Sequence, residues 1–336
     1  MSHKLLILGG ALIEPGQVRE IHLPITEAAN ARPVILPITV IRGSQDGPTV
    51  FMTAAVHGDE LNGTAILRNL YARIKPERLR GTLILIPIVN MLGFLTGSRY
   101  MPDRRDLNRV FPGEPDGNMP QRVAYKLFHE ILRYADVGID FHTAAVSREN
   151  YPHLRGDMKN ALVRKYAKAF GCPVIIDQKG IRGTLRHAAT DHGIPTLLFE
   201  GGTANRFQRP IVQAGVKGTM TFLRNLGMIR KKPDSEHKLP FQVIVKKTTW
   251  IRAERGGLLE LRCTPGSLVY RGEPLAIIAN PLGKDAQPVP SPVTGLVIGS
   301  TMSPLVNPGM PLVHMVQLNR TLKTVENHTR NRKLVL

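Results

Sequence analysis

Two histidines and one glutamate follow apolar runs of strand length in this sequence. His57 and Glu60 come directly after the run at residues 49–56, and His142 comes directly after the run at residues 137–141. Two imidazoles and one carboxylate are the ligand set of a catalytic zinc site, in which water or substrate takes the fourth position. We therefore predict that these three side chains bind one Zn²⁺ ion per chain. The alternative is two unrelated histidines at strand ends.

Two further acidic residues are placed to serve the same site. Asp140 lies two residues before His142, so it points to the same side of the strand and is able to orient an imidazole. Glu200 ends the apolar run at residues 196–199, where a carboxylate is costly unless it faces a cleft or a partner. Beside a zinc ion, Glu200 would act as the general acid and base of a hydrolase, and the alternative is an acid that is satisfied at a strand end.

The segment between the two histidines is rich in arginine. Residues 98–113 contain four arginines and one asparagine, without helical or strand periodicity. Guanidinium groups bind carboxylates through two parallel hydrogen bonds and stabilise a developing oxyanion. The segment is therefore a candidate for substrate binding. A solvated loop with local Asp–Arg pairs is the alternative.

The elements around these residues predict an α/β fold. Apolar runs of strand length alternate with stretches at helical spacing, the runs at 49–56, 82–89, 137–141 and 194–199 and the stretches at 62–74, 119–133 and 159–170. This alternation is typical of a mixed, mostly parallel sheet with helices on both faces. The carboxyl ends of such strands meet at one edge, where open α/β folds bind ligands.

The pattern changes in the last third of the chain. Residues 240–318 form short apolar runs between Gly and Pro, and the pattern Val-x-x-Gly-x-Pro-Leu at 269–275 recurs at 306–312. The two halves resemble the barrel-sandwich of biotinyl and lipoyl domains, but Lys284 has no Met neighbour like that of a carrier lysine, so we predict a structural role. The predicted division is a hydrolase domain at 1–235, a small all-β, barrel-sandwich-like domain at 240–318 and a basic tail at 319–336.

Composition excludes several classes of protein. The 336 residues contain 45 Lys+Arg against 26 Asp+Glu, a formal charge of +19, which favours acidic substrates. Aromatic residues are only 5%, and zinc-finger and RNP motifs are absent, which disfavours a nucleic-acid partner. The apolar runs are shorter than the roughly 20 residues that cross a bilayer, and Cys172 and Cys263 are too few for a disulfide framework. We therefore expect a cytoplasmic enzyme without a membrane partner, and leave open whether it is a homo-oligomer.

Four motifs in this order resemble the succinylglutamate desuccinylase/aspartoacylase family of the zinc carboxypeptidase clan. They are His-Gly-Asp-Glu-x-x-Gly at 57–63, Asp-Leu-Asn-Arg-x-Phe-Pro-Gly at 106–113, Asp-Phe-His-Thr at 140–143 and Phe-Glu-Gly-Gly at 199–202. The resemblance covers most of the chain and implies a zinc carboxypeptidase-like fold with a β-rich tail domain. It also implies a metal-dependent amidohydrolase that cleaves the linear amide bond of an N-acylated amino acid.

The resemblance assigns a role to each motif residue. His57, Glu60 and His142 would be the zinc ligands, Glu200 the catalytic acid/base, and Asn108 and Arg109 the groups that bind the substrate carboxylate. Arg99 would polarise the scissile carbonyl, with Arg104 or Arg105 as alternatives.

The resemblance does not choose between a desuccinylase, an aspartoacylase and a deacetylase. A carboxypeptidase-like enzyme that trims acidic residues from a peptide or protein tail is the nearer alternative function. A non-catalytic protein that binds RNA or another anion is the more distant one.

Overall fold

The structure is a computed structural model that describes residues 5–230 and 241–332. The strands are β1 (Ile7–Leu8), β2 (Ala11–Leu12), β3 (Val18–Glu27), β4 (Pro33–Arg42), β5 (Gln45–Ala54), β6 (Arg80–Ile86), β7 (Val137–Ala144), β8 (Arg148–Gly156), β9 (Val174–Asp177), β10 (Thr196–Thr203), β11 (Val243–Val245), β12 (Thr248–Arg252), β13 (Gly257–Leu261), β14 (Leu268–Val269), β15 (Pro274–Ala279), β16 (Gln287–Pro290), β17 (Gly295–Thr301), β18 (Leu305–Val306) and β19 (Pro311–Gln317). The helices are α1 (Asn62–Arg73), α2 (Met91–Leu95), α3 (Met119–Glu130), α4 (Ala161–Phe170), α5 (Leu185–Asp191), α6 (Arg209–Asn225) and α7 (Leu322–Arg332). Short 3₁₀ turns lie at Pro76–Arg78, Leu107–Arg109 and Leu132–Tyr134.

One large mixed sheet organises the chain. Its strands follow the order β12-β19-β17-β8-β10-β7-β5-β6-β4-β3, with β9 and β11 attached through β8 and with β14 attached to β17. The predicted α/β fold with a mixed sheet is confirmed, and its middle strands β6, β5, β7 and β10 are parallel. The pairs toward both ends are antiparallel, so the sheet is less parallel than predicted. Residues 28–32 join β3 to β4, and a parallel pair would need a crossover of about a dozen residues.

Helices cover both faces of the middle strands, as predicted. Phe51 of β5 packs on one face, in the same apolar cluster as Leu127 of α3 and Leu185 of α5. Its neighbour Met52 packs on the other face, in the cluster that contains Leu67 of α1 and Phe222 of α6. Successive side chains of a strand point to opposite faces, so a strand that is apolar throughout supplies two cores at once.

Residues 241–318 are built from strands, as the sequence predicts for 240–318. Strands β13, β15, β16 and β18 form a sheet of their own, whereas β17 pairs with β8 of the large sheet, with Gly299 opposite Asn150. The repeated pattern contributes β14 and β15 in its first half and β18 and β19 in its second. Gly272 and Gly309 occupy the same place in the two halves and both have positive φ, at 89° and 82°. The separate small domain stays a prediction, because strands of this segment continue the large sheet.

The ends of the predicted domains are described only in part. Residues 231–240, where the boundary between the first two domains was predicted, lie outside the described residues, as do residues 1–4 and 333–336. Within the predicted basic tail, residues 322–332 form helix α7. Among the helices of residues 5–230 and 241–332, none is long and apolar enough to span a membrane.

Candidate metal and active site

The three predicted metal ligands meet at the carboxyl edge of the parallel strands. His57 and Glu60 lie between β5 and α1, and His142 lies near the end of β7. One donor atom from each side chain falls within 4.8 Å of the other two, and all three residues are buried. Glu60 is the centre of the cluster, because its Oε1 lies 2.7 Å from His57 Nδ1 and its Oε2 lies 2.8 Å from His142 Nδ1. The structure therefore brings together the residues that the sequence grouped, in an arrangement that could hold a divalent cation.

Glycines allow the loop that carries His57 and Glu60 to approach its neighbours closely. A Cβ atom on Gly58 would lie 2.1 Å from the backbone carbon of Gly93. A Cβ atom on Gly63 would lie 2.7 Å from the Cβ atoms of Ala54 and Phe141. Both glycines belong to the first motif, Gly58 between His57 and Asp59 and Gly63 in the first turn of α1, and these close approaches explain in steric terms why both positions hold glycine.

Each imidazole contacts an aspartate through Nε2, the ring nitrogen that does not contact Glu60. His57 Nε2 lies 3.1 Å from Asp106 Oδ1, and His142 Nε2 lies 2.8 Å from Asp140 Oδ2. Thr53 donates a hydrogen bond of 2.8 Å to the other oxygen of Asp140. Asp140 thus makes the contact that the sequence suggested, whereas the part played by Asp106 was not foreseen. Such contacts fix the ring orientation and turn both Nδ1 atoms toward Glu60.

The charges of the cluster stabilise one another. Burial by itself would raise the pKa of Glu60, but the imidazoles of His57 and His142 outweigh it and hold that pKa at about 2. Burial would lower the pKa of His142, yet Asp140 and Glu60 raise it well above its ordinary value. The pKa of His57 is also raised, because Glu60 and Asp106 outweigh burial. An ionised carboxylate between two imidazoles has the negative charge and the donor atoms that a divalent cation requires.

Arg99 is the arginine of the loop that reaches this cluster. Its Nη1 lies 3.1 Å from Glu60 Oε1, and its Nη2 lies 3.1 Å from Asp106 Oδ2. Of the two alternatives, Arg105 pairs with Asp103 at 2.9 Å and is 56% exposed. Arg104 is exposed as well, and neither alternative lines the cavity beside the ligands. Of the three candidates, Arg99 is therefore the one that contacts Glu60 and lines the cavity.

Asn108 and Arg109 lie on a 3₁₀ turn at the rim of the same cavity. Asn108 is buried, and its Oδ1 accepts a hydrogen bond of 2.8 Å from the backbone of Leu185. The side-chain NH₂ group of Asn108 is then the part left to face a ligand. Arg109 is 46% exposed, its Nη1 donates a hydrogen bond of 2.7 Å to the backbone carbonyl of Asn108, and the same atom lies 3.9 Å from Asp106 Oδ2.

Glu200 lies beside one of the predicted metal ligands in the sheet. In β10 it stands opposite His142 of β7 on one side and His153 of β8 on the other. Its Oε2 lies 2.8 Å from Arg155 Nε, an ion pair rather than an aligned hydrogen bond, and 3.3 Å from His153 Nε2. Burial would raise the pKa of Glu200, but Arg155 and His153 outweigh it and hold the pKa well below its ordinary value.

A cavity of about 500 Å³ connects these groups and shows residues that sequence reasoning missed. Arg148 and Arg155 of β8, Arg186 of α5, Trp250 of β12 and His314 of β19 also line it. Arg186 is buried, and its Nη1 has no hydrogen-bond partner among the residues that the structure describes. No local motif marks these residues, since they reach the cavity through strand register and from positions far along the chain.

Comparisons with known proteins agree with this architecture. The family model described as "Succinylglutamate desuccinylase/Aspartoacylase catalytic domain" matches residues 46–226 of this chain. N-alpha-acetyl-L-2,4-diaminobutyric acid deacetylase from Halomonas elongata is 28% identical over 286 residues, which cover 80% of this chain and 81% of that protein.

Solved structures extend the similarity over most of the chain. The product-bound Ectoine utilization protein EutE (DoeB) from Ruegeria pomeroyi has a TM-score of 0.80 at 26% identity, covering 91% of this chain and 97% of that one. A succinylglutamate desuccinylase/aspartoacylase from Rhodobacter sphaeroides has a TM-score of 0.81 at 28% identity, covering 91% of this chain and 98% of that one. With more than half of its residues matched by the catalytic domain, the chain belongs to the succinylglutamate desuccinylase/aspartoacylase family.

Proposed function

We propose that this protein is a zinc-dependent hydrolase that cleaves the amide bond of an N-acyl amino acid. The observation that carries the proposal is the convergence of donor atoms from His57, Glu60 and His142 within 4.8 Å, in the cavity that also contains Glu200. Two imidazoles and one carboxylate are the donors that a catalytic zinc site uses. The family, and the relative named as a deacetylase, support an amide as the bond that is cleaved.

The ligand cluster fits a divalent ion in both chemistry and orientation. Both imidazoles turn Nδ1 toward the Glu60 carboxylate, while Asp106 and Asp140 fix the rings through Nε2. Zinc, when bound by these three residues, supplies a Lewis acid that makes water more acidic and polarises a carbonyl oxygen.

Glu200 is the residue that moves protons in this proposal. The ion pair with Arg155 keeps the carboxylate ionised, which is the state in which it accepts a proton from the attacking water. The same carboxyl group then donates that proton to the nitrogen of the departing amine. One residue thus serves as base in the first step and as acid in the second.

Arginine and asparagine side chains would orient the substrate. The guanidinium of Arg99 lies beside Glu60 and would stabilise the negative charge that develops on the carbonyl oxygen. The NH₂ group of Asn108 and the half-exposed guanidinium of Arg109 would bind the carboxylate of the amino acid. Arg186 adds a buried donor to the same cavity.

The test uses the full-length protein loaded with zinc. N-acetyl and N-succinyl amino acids are assayed beside short peptides that end in Asp or Glu, and the metal content is measured. We expect one zinc ion per chain and hydrolysis of the N-acyl amino acids. Cleavage of the peptides alone would instead support an enzyme that trims acidic residues.

The Glu200→Gln variant separates metal binding from proton transfer. It should retain zinc and lose about 100-fold or more in kcat, since general acid–base catalysis contributes about 10²–10⁴-fold. Glu260→Gln, which changes a carboxylate on β13 outside the cavity lining, is the matched control and should behave like the wild type. Undiminished turnover in Glu200→Gln would show that another group is the base.

A further inference from the structure

A groove along helix α6 is lined by basic side chains, and we call it the basic groove. It has a volume of about 1700 Å³ and extends from the end of α1 to the connection between α4 and β9. Six arginines and lysines line it, whereas no aspartate or glutamate does so among the residues that the structure describes. The six cations are Arg73, Lys75, Arg78, Lys217, Arg224 and Arg230.

The fold gathers these cations from different parts of the chain. Arg73 and Arg224 lie in the last turns of α1 and α6, two helices that pack on the same face of the sheet. A backbone hydrogen bond of 2.8 Å from Arg80 to Met228 ties the start of β6 to the segment after α6. Both helices follow parallel strands and run back across the sheet, so they end at its amino edge. Most of the cations therefore lie at the edge opposite to His57, Glu60 and His142.

The six cations have no carboxylate partner in the described part of the chain. No ion pair within residues 5–230 and 241–332 includes one of them. Glu77, between Lys75 and Arg78 in the sequence, is exposed and does not line the groove. Arg224 is half-buried, and its Nε is buried without a hydrogen-bond partner among these residues.

This arrangement of charge favours an anionic ligand. Like charges repel at short range, and a buried donor without a partner is costly, so an anion in the groove relieves both effects. The carboxyl end of a helix attracts cations, but that attraction accounts only for Arg73 and Arg224 and not for the other four.

The basic groove is separate from the cavity that contains the predicted metal ligands. Among the described residues the two have no lining residue in common. Phe199 lines the groove, whereas Glu200, the next residue of β10, lines the cavity. Successive side chains of a strand point to opposite faces, so the sheet divides the two sites. A ligand in the groove therefore does not occupy the place of the substrate.

The size and the floor of the groove narrow the class of ligand. Pockets for small ligands measure roughly 300–1,000 Å³, so the groove has room for more than an amino-acid derivative. Its floor is apolar, with Ile74, Phe170 and Val216 buried in it. Its aromatic side chains are buried or half-buried, which disfavours a single-stranded nucleic acid, whose bases stack on exposed rings. Phosphates carry more charge per group than carboxylates and pair well with guanidinium groups.

We infer that the basic groove binds a polyphosphate anion of nucleotide size, at a site distinct from the proposed catalytic site. The inference goes beyond the proposed hydrolase function and does not depend on it. The phosphates have two chemical sources, a nucleoside triphosphate or a free phosphate chain, and the contacts with the six cations are the same for both.

Titration of the full-length protein with ATP, inorganic triphosphate and citrate tests the inference. Calorimetry and the shift in Tm measure binding, and a chelator in every sample prevents a metal ion from recruiting the phosphates to the other cavity. We expect both phosphate compounds to bind more tightly than citrate and their affinity to fall as salt is added.

The three affinities also identify the source of the phosphates. Tighter binding of ATP than of triphosphate supports a nucleotide, whose less polar part contacts the apolar floor. Binding of triphosphate as tight as that of ATP, or tighter, supports a free phosphate chain. Absence of binding of both phosphate compounds, or binding of citrate as tight as theirs, would overturn the inference.

Substitutions locate the site within the molecule. Arg224→Gln should weaken the binding of triphosphate by about 10- to 100-fold, because it removes a charge-assisted hydrogen bond. Lys217→Gln, an exposed change on the same helix that leaves the core intact, should weaken it by about 2- to 5-fold.

Two controls remove the same charge elsewhere and should keep the wild-type affinity. Arg19→Gln changes an exposed arginine of β3 outside the groove, and Arg148→Gln changes an arginine in the lining of the other cavity. An equal loss in Arg19→Gln would show that net charge alone attracts the phosphates. A loss in Arg148→Gln without one in Arg224→Gln and Lys217→Gln would place them in the other cavity, and either result would overturn the inference.

Discussion

Replacing His314 tests whether the wall of the cavity contains an imidazole that stays neutral. His314 is buried against Trp250, and burial, together with Arg155, His153 and Arg148, lowers its pKa to about 3 despite the attraction of Glu200. In the unfolded chain this group titrates near 6.5. The unfolded state therefore takes up a proton as the pH falls through 6.5, while the folded state does so only near pH 3.

The sign and the size of the effect follow from these two values. A lowered pKa means that the contribution of His314 to stability is complete above pH 6.5 and is lost as the pH falls toward 3. From pH 7 to pH 5, binding of the proton by the unfolded state costs the folded protein about 2 kcal/mol. The His314→Phe variant keeps a ring against Trp250 and lacks the titrating group, so it should not show this loss.

Urea unfolding of both proteins at pH 7 and pH 5 measures the difference. Far-UV circular dichroism reports the whole chain, and the fluorescence of Trp250, the single tryptophan of the sequence, reports the stack itself. A chelator in every sample keeps metal binding out of the comparison. We expect the wild type to lose about 2 kcal/mol more than His314→Phe between the two pH values. Equal losses in the two proteins would show that His314 titrates normally in the folded state and would refute the reasoning.

Two further substitutions probe how the predicted zinc ligands are positioned. Asp140→Asn removes the charge beside His142 Nε2 and should weaken zinc binding by about 10- to 100-fold in a chelator competition. The surface change Asp103→Asn is the control and should leave the zinc affinity unchanged. Equal zinc affinities of the two variants would show that Asp140 does not support zinc binding. Gly58→Ala places a methyl group 2.1 Å from the backbone of Gly93, so we expect a loss of about 1–3 kcal/mol in the free energy of unfolding and weaker zinc binding. Gly256→Ala is its control, because the new Cβ would lie 3.4 Å from its nearest neighbour, the carbonyl oxygen of Val306. Equal losses of stability and of zinc affinity in the two variants would contradict the steric argument.

The convergence of His57, Glu60 and His142 could be predicted from sequence because its signal is local. His57 and Glu60 are three residues apart, and each histidine follows an apolar strand whose carboxyl end had to reach the same edge of a parallel sheet. The sequence could not determine which of Arg99, Arg104 and Arg105 contacts this cluster. It depends on how an irregular loop folds back, and spacing along the chain does not determine that path.

The rest of the site depends on contacts that join distant parts of the chain. Arg155 reaches Glu200 because β8 pairs with β10 in an antiparallel arrangement. A shift of the pairing register by one residue would turn the Arg155 side chain to the other face of the sheet. Trp250 reaches the cavity only because β12 pairs with β19 and β19 with β17. Hydrophobic patterns indicate that such strands exist, but they do not state which strand lies beside which.

The pairing of β17 with β8 has a consequence for any attempt to divide this protein. Glu149 of β8 lies opposite Ser300 of β17, so one hydrogen-bonded ladder runs from the strand that carries Arg148 and Arg155 into the C-terminal strands. Cutting the chain between β8 and β17 and separating the fragments would expose an unpaired strand edge of the sheet, which promotes aggregation. Two separately produced fragments would regain the cavity only by strand complementation, so the protein lends itself to split-reporter designs in which reassembly, rather than expression, switches activity on.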